Sequence, residues 1–245
     1  MIPKIIHYCW FGPAPLPEAV EKCIESWKRF APDMEIKLWN ESNYDVTITP
    51  YTAEAYEAGK FAFVTDYVRL DVVNTYGGIY LDTDVELIQS IDHLLEYDAF
   101  MALEQPGRVA TGLGFGAIAN HPIIQKNLEQ YKNRNFIKNG NLDTTTCVTI
   151  TMDTLNIYFP HEKDALSTLN TNWYSKIENF AILAPHVMCP YNLETGKTTI
   201  LEDTVSIHHY DMSWKTHKDY LLKLKIKLRR WVGNEFYEKL KRIIK

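Results

Sequence analysis

FAFVTDYVRLDVVNTYGGIYLDTDV, residues 61–85, is the stretch whose reading decides the fold. Its first half has helical spacing. Phe63, Tyr67, Leu70 and Asn74 share one stripe, and Asp66, Arg69 and Val73 share the next. Gly77-Gly78 then ends the helix, because glycine alone turns cheaply through positive φ. Ile79-Tyr80-Leu81 is an apolar run suited to a buried strand. It stops at Asp82-Thr83-Asp84, so two carboxylates stand one residue apart at the strand's C-terminal end. In an open α/β sheet, ligands gather at that end.

Two carboxylates this close repel unless a cation lies beside them. Mg²⁺ and Mn²⁺ prefer oxygen ligands and take one or two carboxylates together with substrate phosphates. An isolated Asp-x-Asp reads as an acidic turn, and an isolated Asp66/Arg69 pair reads as a solvated ion pair of small value. Helix, double glycine, apolar strand and paired aspartates in that order form a far more specific signal.

The run T-D-x-x-R-(x)7-G-G-x-Y-x-D-T-D resembles the sugar-binding region of the DxD glycosyltransferases. That family (glycosyltransferase family 32-like) includes the yeast initiating mannosyltransferase type, bacterial capsule enzymes and the catalytic domains of clostridial glucosylating toxins. Ile2–Gly12, IPKIIHYCWFG, is similar to the family's first strand. His208–Trp214, HHYDMSW, is similar to its C-terminal His-(x)4-Ser-Trp element. The resemblance spans most of the first 214 residues.

Several expectations follow from the resemblance. The fold is α/β, a GT-A-like nucleotide-sugar-binding domain over residues 1–214 with a mixed central sheet, followed by a basic helical tail over 215–245. The activity is metal-dependent, retaining transfer of a sugar from a nucleotide donor, a UDP-sugar first, to a saccharide or lipid-linked saccharide, within polysaccharide or capsule biosynthesis. Asp84 would bind Mn²⁺ or Mg²⁺ directly, and Asp82 would hold the donor ribose or a metal-bound water. Asp66 and Arg69 would contact hydroxyls of the transferred sugar. Thr65 belongs to the same donor-binding run, and Tyr80, Ser213 and Trp214 would line the diphosphate. Trp10 would stack on the base with His7 beneath it, although His7 taken alone reads as a core residue. His208, chosen over His209 by its spacing to Ser213-Trp214, would be the third metal ligand.

Composition agrees with a soluble globular protein. The 245 residues are 46% hydrophobic and 23% charged, enough for one sizeable core. Cys9, Cys23, Cys147 and Cys189 are scattered, which suggests neither a disulfide framework nor a zinc site and makes a reducing cytoplasm the simplest home. No apolar run is long enough to span a bilayer, and Met1–Lys4 leads into strand-like residues rather than a signal peptide. The net charge is −5, but residues 215–245 carry eleven Lys/Arg against Asp219, Glu235 and Glu238, a net +8 that leaves −13 for the rest. Apolar residues interleave with these bases, so the tail is expected to seek either the domain or the inner face of an anionic membrane. No nucleic-acid partner is expected.

In chain order, the patterns predict a strand at Lys4–Tyr8, a helix at Pro17–Phe30 with Val20, Ile24 and Trp27 inward, and a strand at Met34–Trp39. No Gly-x-Gly-x-x-Gly follows the first strand, which argues against a dinucleotide enzyme. Val85–Ile88 and Asp98–Glu104 read as strands. Thr111–Asn120 reads as a glycine-rich loop feeding a strand, with a helix from His121-Pro122 to Tyr131. Asn133–Asp143 reads as an exposed polar stretch, Thr144–Tyr158 as a helix, and Ala181–Ala184 and Thr204–His208 as late strands. The middle region is expected to shape the acceptor pocket.

Two other classes fit parts of the chain. A hydrophobic strand ending in Asp-Thr-Asp-Val resembles that of haloacid-dehalogenase phosphatases, but those place the nucleophilic aspartate on the first strand. A non-catalytic sugar-binding module would need no carboxylate pair.

Overall fold

The computed structural model describes residues 1–192 and 195–210. The tail, Ser213 and Trp214 lie outside the described residues.

The chain opens β1 (Ile5–Cys9), α1 (Glu18–Phe30), β2 (Glu35–Trp39), α2 (Pro50–Glu57), α3 (Phe61–Tyr76), β3 (Gly78–Tyr80) and β4 (Val85–Leu87). It continues through β5 (Ala99–Gln105), β6 (Arg108–Val109), β7 (Phe115–Ala117), α4 (Pro122–Lys132), β8 (Ile137–Lys138), β9 (Asn141–Leu142) and α5 (Cys147–Tyr158). The last elements are α6 (Lys163–Thr168), β10 (Trp173–Ser175), β11 (Phe180–Leu183), α7 (Pro185–Met188) and β12 (Ser206–His208). The main sheet runs β10-β11-β5-β7-β3-β1-β2, with β6 on β5. It is mixed: β1 is parallel to β2 and β3, β7 is antiparallel to β3 and β5, and β5 is parallel to β11.

Side-chain alternation divides the core in two. Ile6, Tyr8, Ile79, Leu81 and Phe100 point to the side of α1, where Val20, Cys23, Ile24 and Trp27 are buried. Cys9, Tyr80, Met101 and Phe115 point to the other side, towards α3 and α4. α3 is buried over more than the two stripes its spacing indicates: Val64, Asp66, Val68, Arg69, Leu70, Val72 and Val73 are all covered. It packs on the sheet and on both α2 and α4, which is why its apolar residues run round the helix.

The double glycine is required on steric grounds. Gly77 and Gly78 have φ of 66° and 108°. A Cβ on Gly78 would come within 2.7 Å of Ile5 O and 2.9 Å of His7 Nε2. His7 is fully buried and is not among the residues that line the cleft described below, as its reading as a core residue anticipates. Trp39 Nε1 donates to His7 Nδ1 at 3.1 Å, so Nε2 carries the proton and donates to Gly77 O at 2.8 Å. Burial lowers the His7 pKa and favours this neutral form. The side chain clasps the turn that aims β3.

Three patterns were misread or missed. α2 follows a Thr49/Thr52 capping box and Pro50 at its start, but its apolar residues lack a clear helical stripe. The polar stretch 133–143 contains the β8–β9 hairpin and the fully buried Phe136. β4 leaves the main sheet and pairs antiparallel with β12, Val85 opposite His208.

Asp143 anchors that hairpin. Its carboxylate accepts from Arg134 Nε and Lys138 Nζ, both at 2.8 Å, and from Thr145. Burial alone would raise its pKa, but these donors hold it well below the carboxylate range. A depressed folded-state pKa gives stability that is complete above the unfolded value of about 3.9 and declines as pH falls towards the folded value. Asp143→Asn is therefore expected to cost about 2 kcal/mol near neutrality, with the gap to wild type shrinking below about pH 4. Urea midpoints of the two proteins between pH 3 and 7 measure this, and a gap independent of pH would refute it.

Candidate active site

The C-terminal ends of β1 and β3 open into a cleft of about 680 Å³. Trp10, Phe11 and Gly12 after β1, Phe61 and Phe63 at the start of α3, and Thr65, Asp66 and Arg69 along that helix form one side. Asp82 and Asp84, Glu104 at the end of β5, Gly112, Thr146–Val148 at the start of α5, and His208 and Tyr210 complete it.

Its centre is a buried charge network. Asp66 and Arg69, three residues apart on α3, pair through Oδ1 and an η nitrogen at 3.1 Å. The same nitrogen lies 3.3 Å from Asp82 Oδ1. Arg69 Nε donates to Thr65 O at 3.2 Å, and the guanidinium carbon stands 5.1 Å from the centre of the Tyr80 ring. Tyr80 Oη donates to Asp82 Oδ1 at 2.8 Å. Thus α3 fixes the guanidinium, and the guanidinium and the tyrosine fix the first aspartate of the pair.

The second aspartate faces the end of the chain's described part. His208 Nε2 lies 3.1 Å from Asp84 Oδ1. Its neighbour His209 turns outward and bonds Glu86 at 2.8 Å. Ligand atoms of Asp82, Asp84 and His208 all fall within 4.8 Å of one another. Two carboxylates, Asp66 and Asp82, thus share the Arg69 guanidinium while Asp84 faces His208, and the pKa values register the excess of acid. Burial pushes Asp66 up to about 6 despite Arg69. Burial raises Asp82 as well, Arg69 opposing it and Asp84 adding to it. For His208 burial is the largest influence and favours the neutral form, but Asp84, Asp82 and Glu104 together outweigh it and the pKa rises. A site so short of positive charge fits a divalent cation, and two carboxylates with an imidazole suit Mn²⁺ or Mg²⁺.

Of the residues expected from the sequence, Trp10, Thr65, Asp66, Arg69, Tyr80, Asp82, Asp84 and His208 share this cleft. Trp10 sits on the rim, where its Nε1 donates to Ala14 O at 2.7 Å.

Cys147 had no sequence signal of its own, and Gly112 had only that of its glycine-rich run. Arg69 reaches Cys147 Sγ at 3.9 Å, and burial pushes that thiol up to about 12. Gly112 lies in the run TGLGFG, where close backbone approach is one expected use of glycine. A Cβ there would stand 2.6 Å from Asp82 Oδ2 and 3.2 Å from an Arg69 η nitrogen. Its φ is not in the left-handed region, so alanine is tolerated by the backbone. Gly112→Ala is expected to keep the fold, displace Asp82 and Arg69, and lower turnover about 100-fold. Near-normal turnover in a folded variant would show that the neighbours yield freely.

A family model described as "Glycosyltransferase sugar-binding region containing DXD motif" matches residues 17–101. Inositol phosphoceramide mannosyltransferase 3 of Schizosaccharomyces pombe is 31% identical over 135 residues, covering 50% of this chain and 35% of that protein. Mannosyl phosphorylinositol ceramide synthase CSH1 of Saccharomyces cerevisiae is 28% identical over 147 residues, covering 56% and 38%. The chain therefore spans well under half the length of these relatives. Among solved structures, the PaToxG glycosyltransferase superposes with a TM-score of 0.50 at 17% identity, covering 67% of this chain and 73% of that one. The fold is that of the GT-A glycosyltransferases.

Proposed function

We propose that this chain, a DXD-region glycosyltransferase by its match over residues 17–101 and by its fold, moves a hexose from a nucleotide-sugar donor to a glycan or lipid-linked acceptor. The observation that carries this reading is the junction at Asp82. One of its oxygens is held by Arg69 and Tyr80, and the same residue stands beside Asp84 and His208. A sugar-binding network and a diphosphate-binding network thus share one side chain.

In this reading Asp82, Asp84 and His208 hold Mn²⁺ or Mg²⁺, which when bound neutralises charge on the departing diphosphate. Asp66 and Arg69 bind the hydroxyls of the transferred sugar and fix its ring against Cys147. Trp10 and Phe61 offer apolar faces to the base. The acceptor hydroxyl approaches the face from which the diphosphate leaves. The anomeric carbon–phosphate oxygen bond breaks, the bond to the acceptor oxygen forms, and the hydroxyl proton passes to the departing phosphate, so configuration is retained. Two relatives are named for mannosyl transfer involving inositol phosphoceramide. A mannose donor and an acceptor bearing phosphorylinositol therefore join UDP-sugars as the first compounds to test.

The phosphatase reading loses ground on geometry. Asp82 follows β3 rather than the first strand, its Oδ1 is occupied by Arg69 and Tyr80, and among the described residues no lysine lines the cleft. The test is to incubate the protein with UDP- and GDP-hexoses and Mn²⁺ and to measure nucleoside diphosphate release. No release from any donor, with or without phosphorylinositol or saccharide acceptors, would refute transferase activity.

The histidine assignment has its own test. His208→Ala should raise the Mn²⁺ concentration for half-maximal activity about 10- to 100-fold, as loss of a ligand or its support does. His209→Ala, which removes an exposed contact to Glu86, should change it less than about threefold. A larger rise for His209→Ala would reverse the assignment.

A further inference from the structure

His208 is held in an unusual way for a metal-binding imidazole. Such rings commonly donate their second nitrogen to a carboxylate, carbonyl or water, which fixes both tautomer and orientation. Here Nδ1 is buried and has no hydrogen-bond partner among the described residues. The ring is instead packed edge-on against Tyr210, centroids 4.2 Å apart at 76°. Tyr210 in turn places its hydroxyl 3.0 Å from the thiol of Cys189, which is buried after α7. Tyr210 has φ of 53°, a left-handed conformation that a bulky side chain rarely adopts. That conformation is held although Asn or Gly would adopt it more readily.

We infer that Tyr210 is a positioning residue for the divalent cation, its ring serving His208 in place of the missing hydrogen bond, with Cys189 fixing the far end of the tyrosine. This rests on the reading of Asp82, Asp84 and His208 as ligands. The ring acts by packing, so the aromatic body matters more than the hydroxyl. Phenylalanine should preserve most of the effect, and a small polar residue should lose it.

The experiment is direct titration of Mn²⁺ into the purified protein, followed by electron paramagnetic resonance of free Mn²⁺ without donor or acceptor. Tyr210→Asn keeps the backbone geometry, because asparagine accepts positive φ, while removing the ring's packing. The melting temperature is measured alongside so that affinity is compared only in folded protein. The variant is expected to weaken Mn²⁺ binding about 10- to 100-fold. Tyr210→Phe and Cys189→Ala should weaken it less than about threefold. Wild-type affinity in a folded Tyr210→Asn protein would overturn the inference. So would an equal loss in Tyr210→Asn and Tyr210→Phe, which would assign the role to the hydroxyl. Wild-type protein that binds no Mn²⁺, or binds it undiminished in Asp84→Asn, would overturn the underlying metal reading as well, and the two failures are thereby told apart.

Discussion

Asp84→Asn is expected to lower transfer by about 1000-fold or more while leaving the protein as stable as wild type in the absence of metal. The substitution preserves shape and removes one charge from a side chain that is 18% exposed. Neutralising Asp84 relieves its repulsion of Asp82 in the apo protein and gives up its attraction for His208, 3.1 Å away, so the two changes offset one another. What is lost is an anionic ligand, and several kcal/mol of transition-state charge stabilisation corresponds to about three powers of ten. The same change should be visible without turnover. At a Mn²⁺ concentration of about 100 times its dissociation constant, binding stabilises a protein by about 2.7 kcal/mol. Wild type should therefore melt higher on adding Mn²⁺, and Asp84→Asn should not. Retained metal-dependent turnover, or an undiminished Mn²⁺ shift, would remove Asp84 from the ligand set.

The second large effect is at Arg69. Its guanidinium is 5% exposed and lies against both Asp66 and Asp82. Arg69→Lys keeps a cation but gives up the planar fork that reaches two carboxylates, Thr65 O and Cys147 at once. Donor use is expected to fall about 100-fold, with the fold retained. Arg69→Leu is the harsher change, because it leaves two buried carboxylates uncompensated. The cost should be about 3–5 kcal/mol, read as a lower urea midpoint near neutral pH. A lysine variant with near-normal kinetics would show that Arg69 supports structure alone.

Much of this was readable from residues 61–85. Helix, glycine turn, strand and Asp-x-Asp are local features, each set by neighbours within a few positions, and α3 and β3 form close to where the spacing put them. α1 was equally plain, since Val20, Ile24 and Trp27 mark one apolar face. His7 was legible as a core residue, but period-2 alternation gives the side of a strand and not that this side meets the Gly77 turn. Gly112, Cys147 and Tyr210 were missed for other reasons. Gly112 and Cys147 matter through what they approach, Asp82 and Arg69, and no local pattern encodes a partner tens of residues away. Tyr210 is only two residues from His208, but its edge-on packing depends on a left-handed backbone that a tyrosine does not announce. The pairing of β4 with β12 was hidden likewise, because two short strands carry no sign of their mates.

That pairing sets the order in which the molecule can become competent. Asp82 and Asp84 arrive with the strand that precedes them, within the part of the chain that synthesis completes first. His208 arrives about 120 residues later, and bringing the two together closes a long loop whose entropy is repaid only by a short ribbon and its anchors. Its anchors include Val205 N to Val187 O, Ile88 N to Val205 O, His209 N to Asp84 O, Ser206 Oγ to Met188 O and the register of Ser206–His208 against Val85–Leu87. The ribbon lies outside the main sheet, yet Val85, Leu87 and Val205 are buried in the core on the α1 side, so the cation cluster is completed by packing as well as by pairing. Amide exchange at Ile207 and His208, more than the global melting point, is therefore expected to report the fraction of molecules in which all three sides of the cluster are assembled.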